Sequence, residues 1–129
     1  MWLGCAGSAS SLCCALTLIW CCGLEMEDAE AICTVGKMMD RGVIAQDCSV
    51  YWSQACEYLT GRNLKVGFAD IKSIKGIKAR TPVRFDYHGK SHWVGVENGK
   101  IKFNALEHSV CVEKGNPVTA RILTFGEKK

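Results

Sequence analysis

Proline is scarce in this chain, with 2 residues, and no segment is of low complexity, so a disordered or linker-like polypeptide is excluded. No C-x-x-C spacing occurs among the nine cysteines, which removes the usual zinc-binding and thioredoxin-like motifs. No apolar run approaches the ~20 residues that a membrane span needs. The run from Leu12 to Cys22 has 11. Charge of either sign is missing before Glu25, and no Lys or Arg precedes the apolar run as the start of a signal peptide would require. A cytoplasmic protein without stable membrane insertion is therefore expected. The uncharged beginning keeps export or membrane association open as the alternative. A strong charge imbalance is also absent: 16 basic against 13 acidic residues give +3. That balance speaks against a nucleic-acid partner.

What the chain does have is unevenly placed. Residues 1–59 carry a net charge of −5 and residues 60–129 a net charge of +8. Seven of the nine cysteines lie before residue 50, two pairs of them as neighbours, Cys13-Cys14 and Cys21-Cys22. The odd count forbids complete pairing within one chain, and the clustering is unlike a disulfide framework. Most of these thiols, including Cys21, Cys22, Cys33, Cys48, Cys56 and Cys111, read as reduced, small core hydrophobes. Neither a metal nor a cofactor is expected.

The length of 129 residues suits a single domain, 1–129, with a helical part over 1–62 and a sheet part over 63–129. Ser10 or Ser11 is the expected N-cap of a first helix running to Cys22, with Gly23 as its C′ residue. Apolar on all sides, that helix is expected to be buried and central. A second helix is expected over Glu27–Met39, with Ala29, Ile32, Cys33 and Gly36 facing inward and Gly42 as its stop. A third is expected from about Ser53 to Leu59, closed by Gly61.

From Asn63 the hydrophobic period changes to two. Strands are expected at Leu64–Phe68, Val83–Tyr87, Trp93–Val96, Ile101–Phe103, Ser109–Glu113 and Thr119–Phe125. Ile71–Lys78 is open between a helical turn and a loop with a basic face, its lysines being read as a solvated edge. The fold class is α+β: helices on a mostly antiparallel sheet of five or six strands. Asn98-Gly99 is a strong hairpin signal, because both turn positions of a type I′ turn need φ > 0. A strict two-residue turn puts Val94 opposite Phe103 and leaves His92 and Asn104 on opposite faces unless the strand bends. A three-residue loop would set His92 directly opposite Asn104. Either way both polar side chains end near the open end of the hairpin.

Two segments carry a resemblance. Cys14-Ala15-Leu16-Thr17 looks like the nucleophile segment of papain-like cysteine peptidases. His92-Trp93-Val94-Gly95-Val96, followed by Asn98 to Leu106, is similar to their His strand, turn, next strand and terminal Asp or Asn. The likeness is to the small bacterial kind: bacteriocin leader peptidases and NlpC-type cell-wall peptidases. The segments Asp40–Val50 and Glu107–Phe125 also look like a family of small bacterial and phage proteins of unknown function with this fold. The resemblance implies a papain-like fold and a triad of Cys14 as nucleophile, His92 as general base and acid, and Asn104 as the residue orienting the imidazole. A thiol at a helix start would feel the positive end of the dipole. The reaction implied is acyl transfer, most simply hydrolysis of an amide bond in a peptide or amide-containing substrate. Two positions depart from the pattern: no Gln precedes Cys14 as an oxyanion donor, and Cys13 stands where Gly is often found, so the nucleophile is open between Cys13 and Cys14. His88 and His108 are expected at the surface, with either as a weaker substitute for His92. The alternative reading is a catalytically inactive binding module of the same fold, of bacterial or phage origin. Oligomeric state is not legible.

Overall fold

The computed structural model describes residues 6–45, 50–62, 64–104 and 110–125. The elements are α1 (Ala6–Cys21), α2 (Asp28–Asp40), α3 (Trp52–Thr60), β1 (Leu64–Asp70), β2 (Thr81–Tyr87), β3 (Lys90–Glu97), β4 (Lys100–Phe103), α4 (Val110–Lys114) and β5 (Asn116–Phe125). This is an α+β chain with a five-stranded antiparallel sheet in the order β1-β5-β2-β3-β4.

The helices end where their glycines allow it. Gly23 (φ 80°) lets its own N–H reach the Trp20 carbonyl while Leu24 N–H reaches Ile19, the Schellman closure of α1. Gly42 (φ 76°) repeats it for α2, with Val43 N–H on the Met38 carbonyl. The start of α1 differs from expectation. It begins at Ala6, not after Ser10 or Ser11, so Cys14 lies well inside the helix and not at its N-terminus. The buried face of α2 also differs: Ala31, Val35 and Met38 point inward, while Ala29, Cys33 and Gly36 are exposed. Val35 and Met38 remove more apolar surface from water than Cys33 and Gly36 would.

One core forms among the helices, from Ala15, Leu18 and Ile19 of α1, Val35 and Met38 of α2, and Ala55 and Cys56 of α3; Val66 and Leu123 of the sheet pack against it. A second core lies on the opposite sheet face, with Val83, Phe85, Val94, Val96 and Ala120. The segment 71–80 is a loop: Ile71, Ile74 and Ile77 pack on this second core while Lys72, Lys75 and Lys78 are exposed, the solvated edge expected of them. The expected strand Ser109–Glu113 is instead, in its described part, the short helix α4. Its Val112 packs on the second core, a tertiary contact that overrides the alternating pattern. Cys48 and His108 lie outside the described residues.

The Asn98-Gly99 turn is a two-residue hairpin with φ 54° and 74°. Its tip docks on the 71–80 loop: Gly99 N–H donates to the Ile77 carbonyl at 2.7 Å and Asn98 N–H to that of Lys78 at 3.0 Å. His88-Gly89 (φ 47° and 78°) makes a second such turn between β2 and β3, leaving His88 at the surface as expected. Among the described residues no helix is long and apolar enough to cross a membrane.

At Gly95 the sheet and α1 approach closely. A Cβ there would lie 2.5 Å from Trp20 Cζ3 and 3.0 Å from Phe103 Cβ. Gly95→Ala is expected to destabilise the fold by about 1–3 kcal/mol through overpacking. Urea unfolding of the two proteins measures this, and equal midpoints would show that Trp20 moves aside freely.

Candidate active site

Strand alternation decides which side chains of β3 meet which layer. Trp93 and Gly95 face α1, as the Trp20 ring under Gly95 shows. His92, Val94 and Val96 face the second core; His92 is paired with Phe85 and Val94 with Val83 across the β2 ladder. On the other side of β3, the strand β4 pairs only with Gly95, Val96 and Glu97. The two-residue hairpin makes Glu97 and Lys100 the hydrogen-bonded pair, so by alternation the N–H and C=O of Trp93 point to the same side, beyond the end of β4. Helix α1 fills that gap. Trp93 N–H donates to Cys13 Sγ at 3.4 Å, and Thr17 Oγ1, one helical turn on, donates to the Trp93 carbonyl at 3.3 Å. Two side chains of a helix thus take the part of a missing strand.

His92 and Asn104 come together. The register shifts between Gly95 and Val96, with Gly95 opposite Phe103 but Val96 opposite Ile101, so Lys102 is an extra residue in β4. This bulge flips the side-chain alternation and puts Asn104 on the face of His92. It supplies the bend that a strict two-residue turn requires. His92 Nε2 and Asn104 Oδ1 are 2.6 Å apart. An amide oxygen only accepts, so Nε2 carries the proton and donates, and Nδ1 of the neutral ring holds the free lone pair. Nδ1 is buried and has no hydrogen-bond partner. Burial lowers the His92 pKa from its usual value near 6.5, against the smaller opposing pull of the Asn104 bond.

Cys14 of α1 lies near Cys13 and Arg121. It is buried on the α1 side, where its thiol pKa is pushed up by burial and by the neighbouring Cys13, and pulled down by Arg121. Arg121 of β5 is a residue that sequence reasoning missed. Its guanidinium lies 4.1 Å from the Phe68 ring, 5.0 Å from Trp93 and 5.6 Å from Trp52, and donates to Thr119 Oγ1 at 2.9 Å. A cation at an alternating inward position of β5 was a readable signal, but only the pairing partners define which side is inward. Of the Cys13-Cys14 pair, Cys13 accepts the Trp93 N–H, next to His92. Position 14 inside α1 also removes the helix-start dipole from the argument.

Asn104 also lines a cavity of about 410 Å³ between α1, the α1–α2 connection and the end of β4. Its walls are Leu16, Ile19, Trp20, Leu24, Met26, Ala31, Ile32 and Phe103, with Glu25 and Asn104 as the polar members. Trp20 and Phe103 stack at 6.0 Å, and Arg80 lies 4.4 Å from the Trp20 ring, bonded to the Trp20 carbonyl and paired with Glu97. Among the described residues no three His, Cys, Asp or Glu side chains gather as a metal site would require. No family model, curated protein or solved structure matches the chain.

The lowered His92 pKa has a sign. The folded state binds this proton less readily than the unfolded chain, so the stability due to neutral His92 is complete above pH ~6.5 and is lost as pH falls through the lowered folded value. Urea midpoints are expected to fall on going from about pH 7.5 to about pH 5. His92→Gln is expected to flatten that fall while costing about 1–3 kcal/mol at neutral pH. An unchanged slope would show that other groups carry the acid sensitivity.

Proposed function

We propose that the protein is a papain-type thiol hydrolase acting on amide bonds, with His92 as base, Asn104 as its orienting partner and the thiol drawn from the Cys13-Cys14 pair. The observation that carries this reading is the 2.6 Å bond between His92 Nε2 and Asn104 Oδ1, which leaves Nδ1 as an unpartnered base. Cys13 is preferred over Cys14 because its sulfur accepts the N–H of the residue next to His92. In the reaction, Nδ1 takes the thiol proton and the thiolate attacks the amide carbonyl. The imidazolium then protonates the leaving amine, and water hydrolyses the thioester. The apolar cavity that Asn104 borders suits an apolar side chain of the substrate.

A second reading is favoured by burial. Cys13 is 0% and His92 1% exposed, and Cys13 and Thr17 already serve to close the edge of β3. On this reading the same residues hold the shape of a non-catalytic binding module, whose site is the cavity.

Iodoacetamide at pH 6 separates the two, because thiolate is the reactive form. The hydrolase reading expects Cys13 to be alkylated faster than Cys14, and His92→Gln to slow it by about tenfold or more. It also expects Cys13→Ala, folded by circular dichroism, to lose all cleavage of a panel of peptide amides, while Cys14→Ala retains it. Cys13 labelling that is slow and indifferent to His92 would leave the binding module standing.

A further inference from the structure

The sheet face that carries α1 holds a second group of chemical interest, across the sheet from His92 and Asn104. The ladders set its side chains in rows: Phe68 of β1 is opposite Arg121 of β5, Thr119 of β5 is opposite Arg84 of β2, and Arg84 is opposite Trp93 of β3. Directly opposed residues of antiparallel strands share a face. Helix α3 adds Trp52, whose ring centroid lies 5.1 Å from that of Trp93 at an interplanar angle of 53°. The Arg121 guanidinium stands among these rings, 4.1 Å from Phe68, 5.0 Å from Trp93 and 5.6 Å from Trp52.

This cation is not matched by an anion. Its Nη1 donates to Thr119 Oγ1 at 2.9 Å, and its Nε is buried with no partner. Among the described residues, no carboxylate lies within ion-pair distance of it. The guanidinium of Arg84, by contrast, is matched: it donates to both Asp86 oxygens, at 3.0 and 3.3 Å, and the Ser91 hydroxyl donates to the same carboxylate at 2.9 Å. Aromatic rings attract a guanidinium but give its in-plane N–H groups no strong acceptor. Burial and, after it, the like charge of Arg84 pull the Arg121 pKa down, a direction that a bound anion reverses. The group is open to solvent on one side: Phe68 is 69% exposed, and Trp52, Trp93 and Arg121 each keep part of their surface in water.

We infer that Arg121, with Trp52, Phe68 and Trp93 around it, binds a single carboxylate carried on an apolar or aromatic body. The site has this property whether or not the Cys13-Cys14 pair is catalytic. A planar carboxylate meets the edge of a planar guanidinium with two parallel hydrogen bonds. One unmatched positive charge calls for one negative charge. Arg84 is already neutralised by Asp86, so a phosphate dianion would be only half balanced here. The rings supply the surface on which an apolar body packs, with the exposed Phe68 as the outer wall. A peptide offers such a group in two ways: as its own terminal carboxylate on an apolar residue, or as an acidic side chain beside one.

Calorimetric titration of the full chain tests this with three probes of one size. These are acetyl-alanyl-phenylalanine with a free terminal carboxylate, its terminal amide, and acetyl-glutamyl-phenylalanine amide. At least one acid-bearing probe is expected to bind about tenfold or more tighter than the amide that lacks an acid, and the one that does identifies the source of the carboxylate. Arg121→Gln is expected to abolish that preference. Phe68→Ala, at an exposed position where folding is not in question, is expected to weaken the acid-bearing probe by about threefold or more. Equal affinity for the acid and amide probes overturns the site, as does failure of either acid probe to bind. Acid binding that Phe68→Ala and a folded Arg121→Gln both leave unchanged overturns it too, as does inorganic phosphate that displaces the probe at equal concentration. If Arg121→Gln does not fold, the acid–amide comparison and Phe68→Ala decide.

Discussion

The seat of α1 on β3 is the contact on which the rest of the structure depends. Strand β4 is four residues long and leaves the Trp93 N–H and C=O without a strand partner. Buried backbone groups left in that state cost as much as a lost hydrogen bond each. Cys13 and Thr17, one turn apart, satisfy both, and Trp20 three residues further on fills the space that Gly95 leaves by lacking a Cβ. One helix stripe, 13-17-20, thereby fixes the height and rotation of α1 on the sheet. The rotation in turn decides which cysteines face the helices and which face the sheet.

That seating divides the chemistry of the two sheet faces. On the α1 side, the Arg121 cation is held among Trp52, Phe68 and Trp93 and lies near the Cys14 thiol. Burial draws the Arg121 pKa down, most strongly by desolvation and next by Arg84. On the other side, the neutral His92 ring donates to Asn104 within an apolar layer. Both faces thus hold a polar group in apolar company. A group of that kind is tolerated in a core only where partners satisfy it, or where its use outweighs its cost. Among the described residues, Nδ1 of His92 and Nε of Arg121 are buried without a hydrogen-bond partner.

How much of this was legible in the residues varied with the range of the forces. The Asn98-Gly99 turn, the Schellman glycines 23 and 42 and the change of period at Asn63 were all readable, because each rests on the conformational needs of a few neighbouring residues. The closeness of His92 and Asn104 was readable too, since both sit at the open end of one short hairpin. The start of α1 lies upstream of the serines expected to cap it, at Ala6. The strand expected at Ser109–Glu113 became a helical turn through the contact of Val112 with the second core, which no local pattern announces.

By itself the amino-acid sequence determined the helical and sheet halves, their main turns and the nearness of the histidine and the asparagine at the open end of one hairpin. These follow from local backbone preferences and from the apolar period. Only the tertiary structure decided that Lys102 is the bulged residue, that Cys13 rather than Cys14 meets the histidine strand, and that Arg121 shares the aromatic side with Cys14. Those outcomes depend on the register between strands and on the rotation of one helix about its axis. A shift of one residue in either exchanges one face for the other, and the side chains themselves do not record which way the shift goes.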